Sequence, residues 1–278
     1  MPPLPINFHA TFRPERRHIA SLLAYAASGG HGSLKEIGRE TAIPMGGCSG
    51  KVLPTIRYAV GMGLLEPPEP KNGVWRLSLS PFGSTVYRKD PLLGAPLTQW
   101  LAHMNLCRPD VGAVAWHRVF ARGRWELGSS FTRGELEAFL TTWFGPGRNR
   151  TGPMVSTYLD RESLGRAQVL VASGDRLQRC KAPIDEAFTT GYAAHLLALM
   201  DSFFPGQDQV AFSDLNDRTG WFDICLWDQA DLDAAFTLIQ RGGHLTVDRQ
   251  RKPWILERFS TWQAVWDSVF ECLAARGG

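Results

Sequence analysis

Two carboxylates lie close together near the middle of the chain, at Asp160 and Glu162, shortly after Tyr158. Clustered carboxylates can hold a divalent cation for phosphodiester hydrolysis, and a tyrosine or histidine can supply or activate a nucleophile. On a helix, residues two apart point in different directions, which weakens this pair as a metal site. His9 is a further candidate, although its place among aromatic residues in FHATF is more typical of a packed histidine than of a base. The catalytic candidates are therefore Asp160, Glu162 and His9.

A second group of residues has the chemistry to contact DNA. Lys51, Thr55 and Tyr58 lie on a predicted helix, on the face opposite the apolar residues. Lysine and arginine reach phosphate or guanine, while threonine and tyrosine hydrogen-bond to phosphate. The DNA contacts predicted in this part of the chain are Arg13, Arg16, Arg17, Lys51, Thr55, Arg57, Tyr58, Lys71 and Arg76. The alternative interpretation is a solvated polar face on a module that docks a protein.

A basic turn closer to the C-terminus carries similar side chains. Arg249, Arg251 and Lys252 lie at the tip of a predicted hairpin over 244–259. They predict a second phosphate contact, and a solvated loop explains them equally well.

The two halves of the chain differ in charge. Residues 1–150 contain 18 Lys and Arg against 10 Asp and Glu, whereas residues 151–278 contain 12 against 17. The positive excess lies in the half that holds most of the predicted DNA contacts. This asymmetry favours one end that binds a polyanion and another end with a different task.

The elements that position these residues begin with helices and end with a ribbon. After a first helix, Ser33–Glu36 forms a capping box that opens a second helix, and 44–50 is a Gly-rich turn. The next helix begins near Lys51–Pro54, because proline is tolerated only in the first turn. Asn72-Gly73 then predicts a tight hairpin. This order predicts a winged helix-turn-helix, which usually places its second helix in a DNA major groove.

The C-terminal part is predicted to repeat this order. Helices are expected over 186–204 and 213–220, and a further helix is capped by Asp231. The hairpin over 244–259 follows, and a last helix covers 261–275. The pattern indicates a second winged-helix-like domain.

We therefore expect a mainly α fold with small β-hairpins. The predicted domains are a winged helix-turn-helix DNA-binding domain (1–90), a helical middle region (91–150) and a C-terminal helical, winged-helix-like domain (151–278). The helical middle includes a Thr132–Glu135 capping box, and the Gly- and Pro-rich basic segment 144–153 is the best boundary or exposed loop.

Composition excludes several classes of protein. The 278 residues are 44% hydrophobic and 21% charged, which is typical of soluble globular domains. No apolar run is long enough to span a bilayer and the N-terminal residues lack a secretory h-region, so we expect a cytoplasmic protein. Five scattered cysteines without a C-x-x-C pair indicate reduced thiols. No nucleotide or organic cofactor signature is present, and Mg²⁺ or Mn²⁺ is the cofactor that a nuclease would need.

Three segments of the sequence resemble a known family: FHATFRP, IRYAVGMGLLE (56–66) and FTRGELEAFL. The family often opens with an H-x-T-F phrase, continues with an Ile-Arg helix that ends in Gly-Leu, and then has Trp-rich helices. In these segments the chain resembles a bacterial domain-of-unknown-function family encoded beside DNA phosphorothioation genes.

The resemblance implies a DNA-binding protein that nicks one strand so that sulfur can enter the backbone, as part of anti-phage defence. Its implied partners are double-stranded DNA and the sulfur-transfer and ATPase components of the phosphorothioation system. A homodimer is a further expectation, since winged-helix DNA binders are often dimeric. The same residues also fit a non-enzymatic winged-helix regulator or adaptor that binds DNA or protein.

Overall fold

The computed structural model describes residues 2–46, 50–250 and 252–271. Within these ranges the fold is mainly helical with small antiparallel sheets, which confirms the predicted class. The chain divides into two compact units, the first ending at Cys180 and the second beginning at Lys181. No helix of the described ranges combines the length and apolarity needed to cross a bilayer.

Some sequence predictions fall wholly or partly outside the described residues. These are the middle of the turn predicted at 44–50, the predicted DNA contact Arg251, and the end of the helix predicted over 261–275. The division into three domains stays a prediction. The Gly- and Pro-rich segment 144–153 lies within the first unit.

The first unit begins with helices and one short ribbon. Its first elements are α1 (Arg16–Ala27), β1 (His31–Gly32), α2 (Leu34–Thr41), α3 (Val52–Gly61) and β2 (Trp75–Arg76). The predicted capping box is present: the Ser33 side chain accepts a hydrogen bond from the Glu36 amide, and the Glu36 side chain accepts one from the Ser33 amide. Pro54 lies in the first turn of α3, as predicted.

The Asn72-Gly73 hairpin is confirmed. Asn72 and Gly73 have φ of 51° and 77°, the left-handed conformation that both central residues of a type I′ turn require. The backbones of Lys71 and Val74 exchange two hydrogen bonds, of 3.0 and 2.9 Å. The hairpin leads into β2, which pairs antiparallel with β1.

The rest of the first unit contains a three-stranded sheet that the sequence analysis missed. The elements are α4 (Pro81–Lys89), α5 (Pro96–Leu106), α6 (Val114–Trp116) continuing as a π-helix (His117–Arg122), β3 (Ser130–Thr132), α7 (Arg133–Phe144), α8 (Thr151–Leu159), a 3₁₀ turn (Gly165–Ala167), β4 (Leu170–Ser173) and β5 (Arg176–Arg179). The strand order is β3-β5-β4, with β5 in the centre. The Thr132–Glu135 capping box opens α7, as predicted.

The second unit follows the predicted order closely. Its elements are α9 (Glu186–Phe203), β6 (Gln209–Ala211), α10 (Phe212–Thr219), α11 (Trp221–Ile224), α12 (Gln229–Arg241), β7 (Leu245–Asp248), β8 (Ile255–Arg258) and α13 (Trp262–Ser268). One cap differs from the prediction. Asp228 rather than Asp231 caps α12, because Asp231 occupies the third helical position and completes a capping box with Asp228.

Three segments of the chain share one order of elements: a helix, a strand, two further helices and a hairpin or short ribbon. In the segments that end at β5 and at β8, the first strand pairs with the last strand, which lies in the centre of the sheet. The third segment has the extra helix α11 between its two later helices. For the first and third segments the sequence pattern predicted three helices and a ribbon, without the strand that follows the first helix.

Aromatic side chains fill the core of each unit. In the first unit Phe8, Tyr58 and Trp116 are fully buried and meet edge to face, with ring centroids 4.7–6.2 Å apart. In the second unit Trp221 and Trp227 do the same at 5.3 Å. Such pairs add about 0.5–1.5 kcal/mol each beyond the area they bury. Five of the ten tryptophans of the sequence are buried and serve packing.

Candidate nucleic-acid interface

The N-terminal loop that contains His9 is a tight turn held in the core of the first unit. Ala10 and Thr11 both have positive φ, 56° and 142°, a conformation that costs energy for residues with a side chain. His9 itself is 2% exposed, and its ring meets Phe8 and Trp116 edge to face. The structure therefore agrees with the packed interpretation of this histidine.

His9 is poorly placed to act as a base on a large substrate. Neither ring nitrogen makes a hydrogen bond of normal geometry within the described residues. Burial lowers its pKa to about 4, and the Ile6 carbonyl offsets only part of that shift. The side chain is neutral at ordinary pH and is shielded from solvent.

Asp160 and Glu162 lie against the same N-terminal loop. Arg13 Nε is 2.8 Å from Oδ2 of Asp160, and the other carboxylate oxygen, Oδ1, accepts a hydrogen bond from the Glu162 amide at 2.8 Å. The Arg16 amide donates to the Glu162 carbonyl at 2.8 Å, and the Arg16 guanidinium donates to the Arg161 carbonyl. Four residues assigned separately from the sequence, two as catalytic and two as DNA-binding, thus meet at one place. Their contacts tie the loop to the end of α8.

This arrangement does not make a metal site. Within the described residues, no three His, Cys, Asp or Glu side chains come together to hold a metal ion. Asp160 is already engaged by Arg13, and Glu162 is exposed. The predicted Mg²⁺ or Mn²⁺ therefore has no ligand set among these side chains, and we derive no chemical step through a metal.

The polar face predicted for α3 is not an open surface. Eight of the ten residues of α3 are buried, including Thr55 and Tyr58. The Thr55 hydroxyl donates to the Lys51 carbonyl at 2.6 Å, and the Tyr58 hydroxyl donates to the Phe12 carbonyl at 3.1 Å. The expectation that Thr55 and Tyr58 face solvent is wrong, because both are buried and the Tyr58 ring packs against Phe8 of the N-terminal loop.

Lys51 is partly exposed and is paired with a buried acid. Its Nζ donates to Oε1 of Glu15 at 2.6 Å. Although burial alone would raise the pKa of Glu15, hydrogen bonds from Lys51 and Arg17 and the nearby charge of His18 hold it below the usual value. Arg17 keeps 71% of its side chain exposed while contacting Glu15. The exposed part of the Arg17 side chain can therefore bind a phosphate while its contact with Glu15 is kept. Lys51 would first have to give up its close ion pair with Glu15.

Arg57 lies at the edge of an apolar cavity of about 230 Å³. The cavity is lined by Pro2–Pro5, by Trp75 and by residues of α3. Leu4 is fixed there by backbone hydrogen bonds with Gly112 and Val114. The N-terminal residues thus also cover this side of α3, and Arg57 is the basic side chain of the helix that stays half-buried there.

Lys71 and Arg76 are exposed to solvent, as Arg17 is. They line a shallow cavity of about 430 Å³ beside the Asn72-Gly73 turn, together with His31, Glu66 and Glu69. Burial raises the pKa of the Glu66 carboxyl. These two cations lie at and just after the Asn72-Gly73 turn.

The basic turn of the second unit is less basic than its sequence suggests. The Arg249 guanidinium donates to the Asp233 carboxylate at 3.1 Å and to the Thr237 hydroxyl at 3.2 Å. Lys252 is exposed, and Arg251 lies outside the described residues. Of the two described cations, one is already bound to α12.

Charge separates more strongly at the unit boundary than at residue 150. Residues 1–180 contain 22 Lys and Arg against 13 Asp and Glu, and residues 181–278 contain 8 against 14. The net charges are therefore +9 and −6. A polyanion would be drawn to the first unit.

Sequence reasoning missed a buried polar cluster in the first unit. The Tyr158 hydroxyl is 2.6 Å from Nδ1 of His103, and the Cys107 sulfur is 3.7 Å from the same nitrogen. All three are buried, and burial raises the pKa of both Tyr158 and Cys107 well above their usual ranges. The three side chains are closed to solvent, and their contacts fix the end of α5 to α8. The i, i+4 spacing of His103 and Cys107 was the available signal.

The comparisons with known proteins bear on the fold. No protein-family model matches the sequence, and no curated protein matches it. Among solved structures, the fold is similar to magnesium ion-bound SspB, with a TM-score of 0.71 at 12% identity over 96% of this chain and 87% of that chain. Another SspB crystal structure gives a TM-score of 0.68 at 13% identity with the same coverage. The resemblance predicted from the sequence is confirmed at the level of the fold.

Proposed function

We propose that this chain is a DNA-binding protein that nicks one strand to permit phosphorothioate modification of the backbone, in a defence system of the Ssp type. The observation that carries the proposal is the likeness of fold to SspB over 96% of the chain. It is supported by the FHATFRP, IRYAVGMGLLE and FTRGELEAFL segments, which suggested the same family before any fold was compared.

We infer that the three segments with a shared order of elements are winged-helix-like modules. The order helix, strand, helix, helix and ribbon is that of a winged helix, and the first strand pairs with the last in all three. This extends the predicted pair of modules to three. The fold alone does not decide function, so the DNA-binding assignment depends on surface charge.

The DNA interface proposed here lies on the first unit. Arg17, Lys71 and Arg76 combine exposure with positive charge, and the unit as a whole carries the net charge of +9. Phosphate contacts of this kind give sequence-independent affinity and orient the protein on the duplex. Thr55 and Tyr58 are not included as direct contacts, because they are covered.

A supercoiled plasmid tests the proposed activity directly. We expect the purified chain with Mg²⁺ or Mn²⁺ to convert supercoiled plasmid into the open-circular form. The variant Asp160→Asn/Glu162→Gln tests the two predicted carboxylates, and Asp175→Asn, an exposed acid in the β4–β5 turn of the same unit, is the matched control. If the wild-type chain yields no open-circular product with either metal, the nicking activity is wrong.

A second candidate function is a non-enzymatic adaptor or regulator that binds DNA. It is favoured by the engagement of Asp160 with Arg13, since a catalytic carboxylate needs free oxygens. It predicts tight duplex binding without any cleavage. If the Asp160→Asn/Glu162→Gln variant nicks as well as the wild type, these two carboxylates are not catalytic, although the chain is still a nickase.

The proposed partners follow from the same assignment. They are double-stranded DNA and the sulfur-transfer and ATPase proteins of the system, with a homodimer as the proposed state and the cytoplasm as the proposed location. Sedimentation of the chain with and without duplex DNA distinguishes a dimer from a monomer. Co-purification with the other components tests the assembly.

A further inference from the structure

Trp125 is the most exposed of the large hydrophobic side chains in the described part of the chain, with 83% of its surface open to solvent. It lies in the loop between the π-helix 117–122 and β3. A single apolar side chain on a surface is ordinary, so its exposure alone would carry no argument. Its surroundings make it different.

A second exposed tryptophan lies beside this loop. Trp143, near the end of α7, is 45% exposed, and its indole N–H donates to Glu126 at 3.1 Å. The same carboxylate accepts a hydrogen bond from Arg118 at 3.4 Å, and the Arg118 guanidinium stacks over the Trp143 ring. Glu126 therefore fixes the loop, the π-helix and α7 to one another.

The surface around the two rings is basic. Arg118, Arg122 and Arg124 lie within a stretch of seven residues of the sequence, and the Glu126 carboxylate pairs with Arg118. The Arg124 guanidinium lies 5.3 Å from the centroid of the Trp125 ring. We name these five residues the Arg–Trp surface: Arg118, Arg122, Arg124, Trp125 and Trp143.

We propose that the Arg–Trp surface binds single-stranded DNA by stacking an unpaired base on Trp125. This deepens the proposed DNA-processing function and rests on it. Every base has a π-face that stacks on an aromatic ring, and arginines beside the ring hold the backbone phosphates. In an intact duplex the bases stack on one another, so the ring meets a base only where strands have separated, as beside a nick.

The charge of the surface favours a nucleic acid over a protein as its occupant. A cation lies over each tryptophan ring, Arg118 over Trp143 and Arg124 over Trp125, and cations beside aromatic rings match a polyanion that carries bases. An aromatic ring flanked by arginine is the combination that non-sequence-specific single-strand binding uses. A protein partner would leave the affinity for single strands independent of Trp125, and that outcome is included in the test.

The test compares a fluorescein-labelled oligothymidine with a duplex of the same length by fluorescence anisotropy. We expect Trp125→Ala to weaken single-strand binding about tenfold and to leave duplex binding unchanged. Phe259→Ala is the matched control, because Phe259 is an aromatic side chain 59% exposed in the acidic second unit. Since Trp125 is almost wholly in solvent, its removal should leave the unfolding temperature of the chain unchanged.

A second variant tests the electrostatic part. Arg124→Gln should lower the slope of log affinity against log salt for the single strand by about 0.7. Single-strand binding that is absent in the wild type, unchanged in Trp125→Ala, or equally weakened in Phe259→Ala overturns the proposal.

Nicking of supercoiled plasmid, measured on the same preparations, separates the two claims. If the plasmid is nicked but Trp125→Ala does not weaken single-strand binding, the Arg–Trp surface does not bind single strands and the proposed nicking function stands. A tenfold effect of Trp125→Ala without nicking supports the surface and removes the nickase.

Discussion

The two units use similar elements and carry opposite charge. In the first unit the third helix, α3, is covered by the N-terminal residues, and exposed cations lie on α1 at Arg17 and on the ribbon after α3 at Lys71 and Arg76. In the second unit the corresponding helix, α12, begins with a capping box of two aspartates that both bind Lys181. A helix that starts with several acids is a poor partner for phosphate.

This comparison shows that two units can share an order of helices and strands and still differ in the ligand that their surfaces can bind. A helix can occupy the position that inserts into the DNA major groove in winged-helix proteins and still be unsuited to DNA. In this chain α3 is buried and α12 is acidic. Function therefore depends on which side chains remain open after each unit has packed. Four predictions test the contrast, beginning with the largest effect.

The largest expected effect comes from truncating one buried phenylalanine in each unit. Phe8 and Phe236 are both fully buried and both meet a neighbouring ring edge to face. We expect Phe8→Ala and Phe236→Ala each to lower the free energy of unfolding by about 3–5 kcal/mol, because each leaves a cavity. Calorimetry should show that each variant lowers the transition of its own unit. A single transition that moves equally in both variants would mean that the units do not unfold separately.

The second test uses pH to single out the first unit. Because the pKa of His9 is lowered from 6.5 to about 4 in the fold, the unfolded chain binds the extra proton between these values. Stability should therefore fall as pH drops from 6.5 toward 4, by up to about 3 kcal/mol from this residue. Urea unfolding at a series of pH values measures it. His9→Leu should flatten the profile in that window, and an unchanged profile would contradict the assignment.

The third test addresses the contrast in charge. If Lys71 and Arg76 each contact a phosphate, the variant Lys71→Ala/Arg76→Ala should lower the salt slope of duplex binding by about 1.8. Lys252→Ala, which removes an exposed cation from the second unit, should leave the slope unchanged. Equal losses in the two variants would place DNA on both units.

The smallest expected effect concerns the helix caps. Ser33 and Asp228 each complete a capping box, one in each unit. Ser33→Ala should cost about 1 kcal/mol of unfolding free energy in the first unit. Asp228→Ala should cost at least as much in the second, since Asp228 also pairs with Lys181. Urea titration with fluorescence detection measures both, and a smaller loss for Asp228→Ala would contradict the role of the ion pair.

The features that could be predicted from the sequence are local ones. The capping boxes at Ser33 and Thr132 and the Asn72-Gly73 turn depend on residues within four positions of one another, so their signals are complete in a short segment. The β4–β5 hairpin had a similar signal in Gly174, which has φ of 61° in the turn. It was missed because the surrounding segment was interpreted as the start of a helical domain.

The burial of the predicted site could not be predicted in this way. Tyr58 is covered because its hydroxyl reaches the Phe12 carbonyl, 46 positions away, and Arg13 reaches Asp160 from the other end of the unit. Helical periodicity places Tyr58 on a polar face but does not show which distant segment packs there. The predicted catalytic and DNA-binding residues met for the same reason, through contacts that only the folded chain creates.

The link between Arg16 and Arg161 spans 145 positions, and this has a consequence for synthesis of the chain. A ribosome adding roughly 5–20 residues per second would release the N-terminal loop about 7 to 30 s before its partner loop exists. Throughout that delay Arg13 lacks the Asp160 carboxylate and Arg16 lacks the Arg161 carbonyl, whereas Phe8 can already meet Tyr58 and Trp116 once those residues are made. The second unit makes its corresponding contacts within its own 98 residues and closes soon after it emerges.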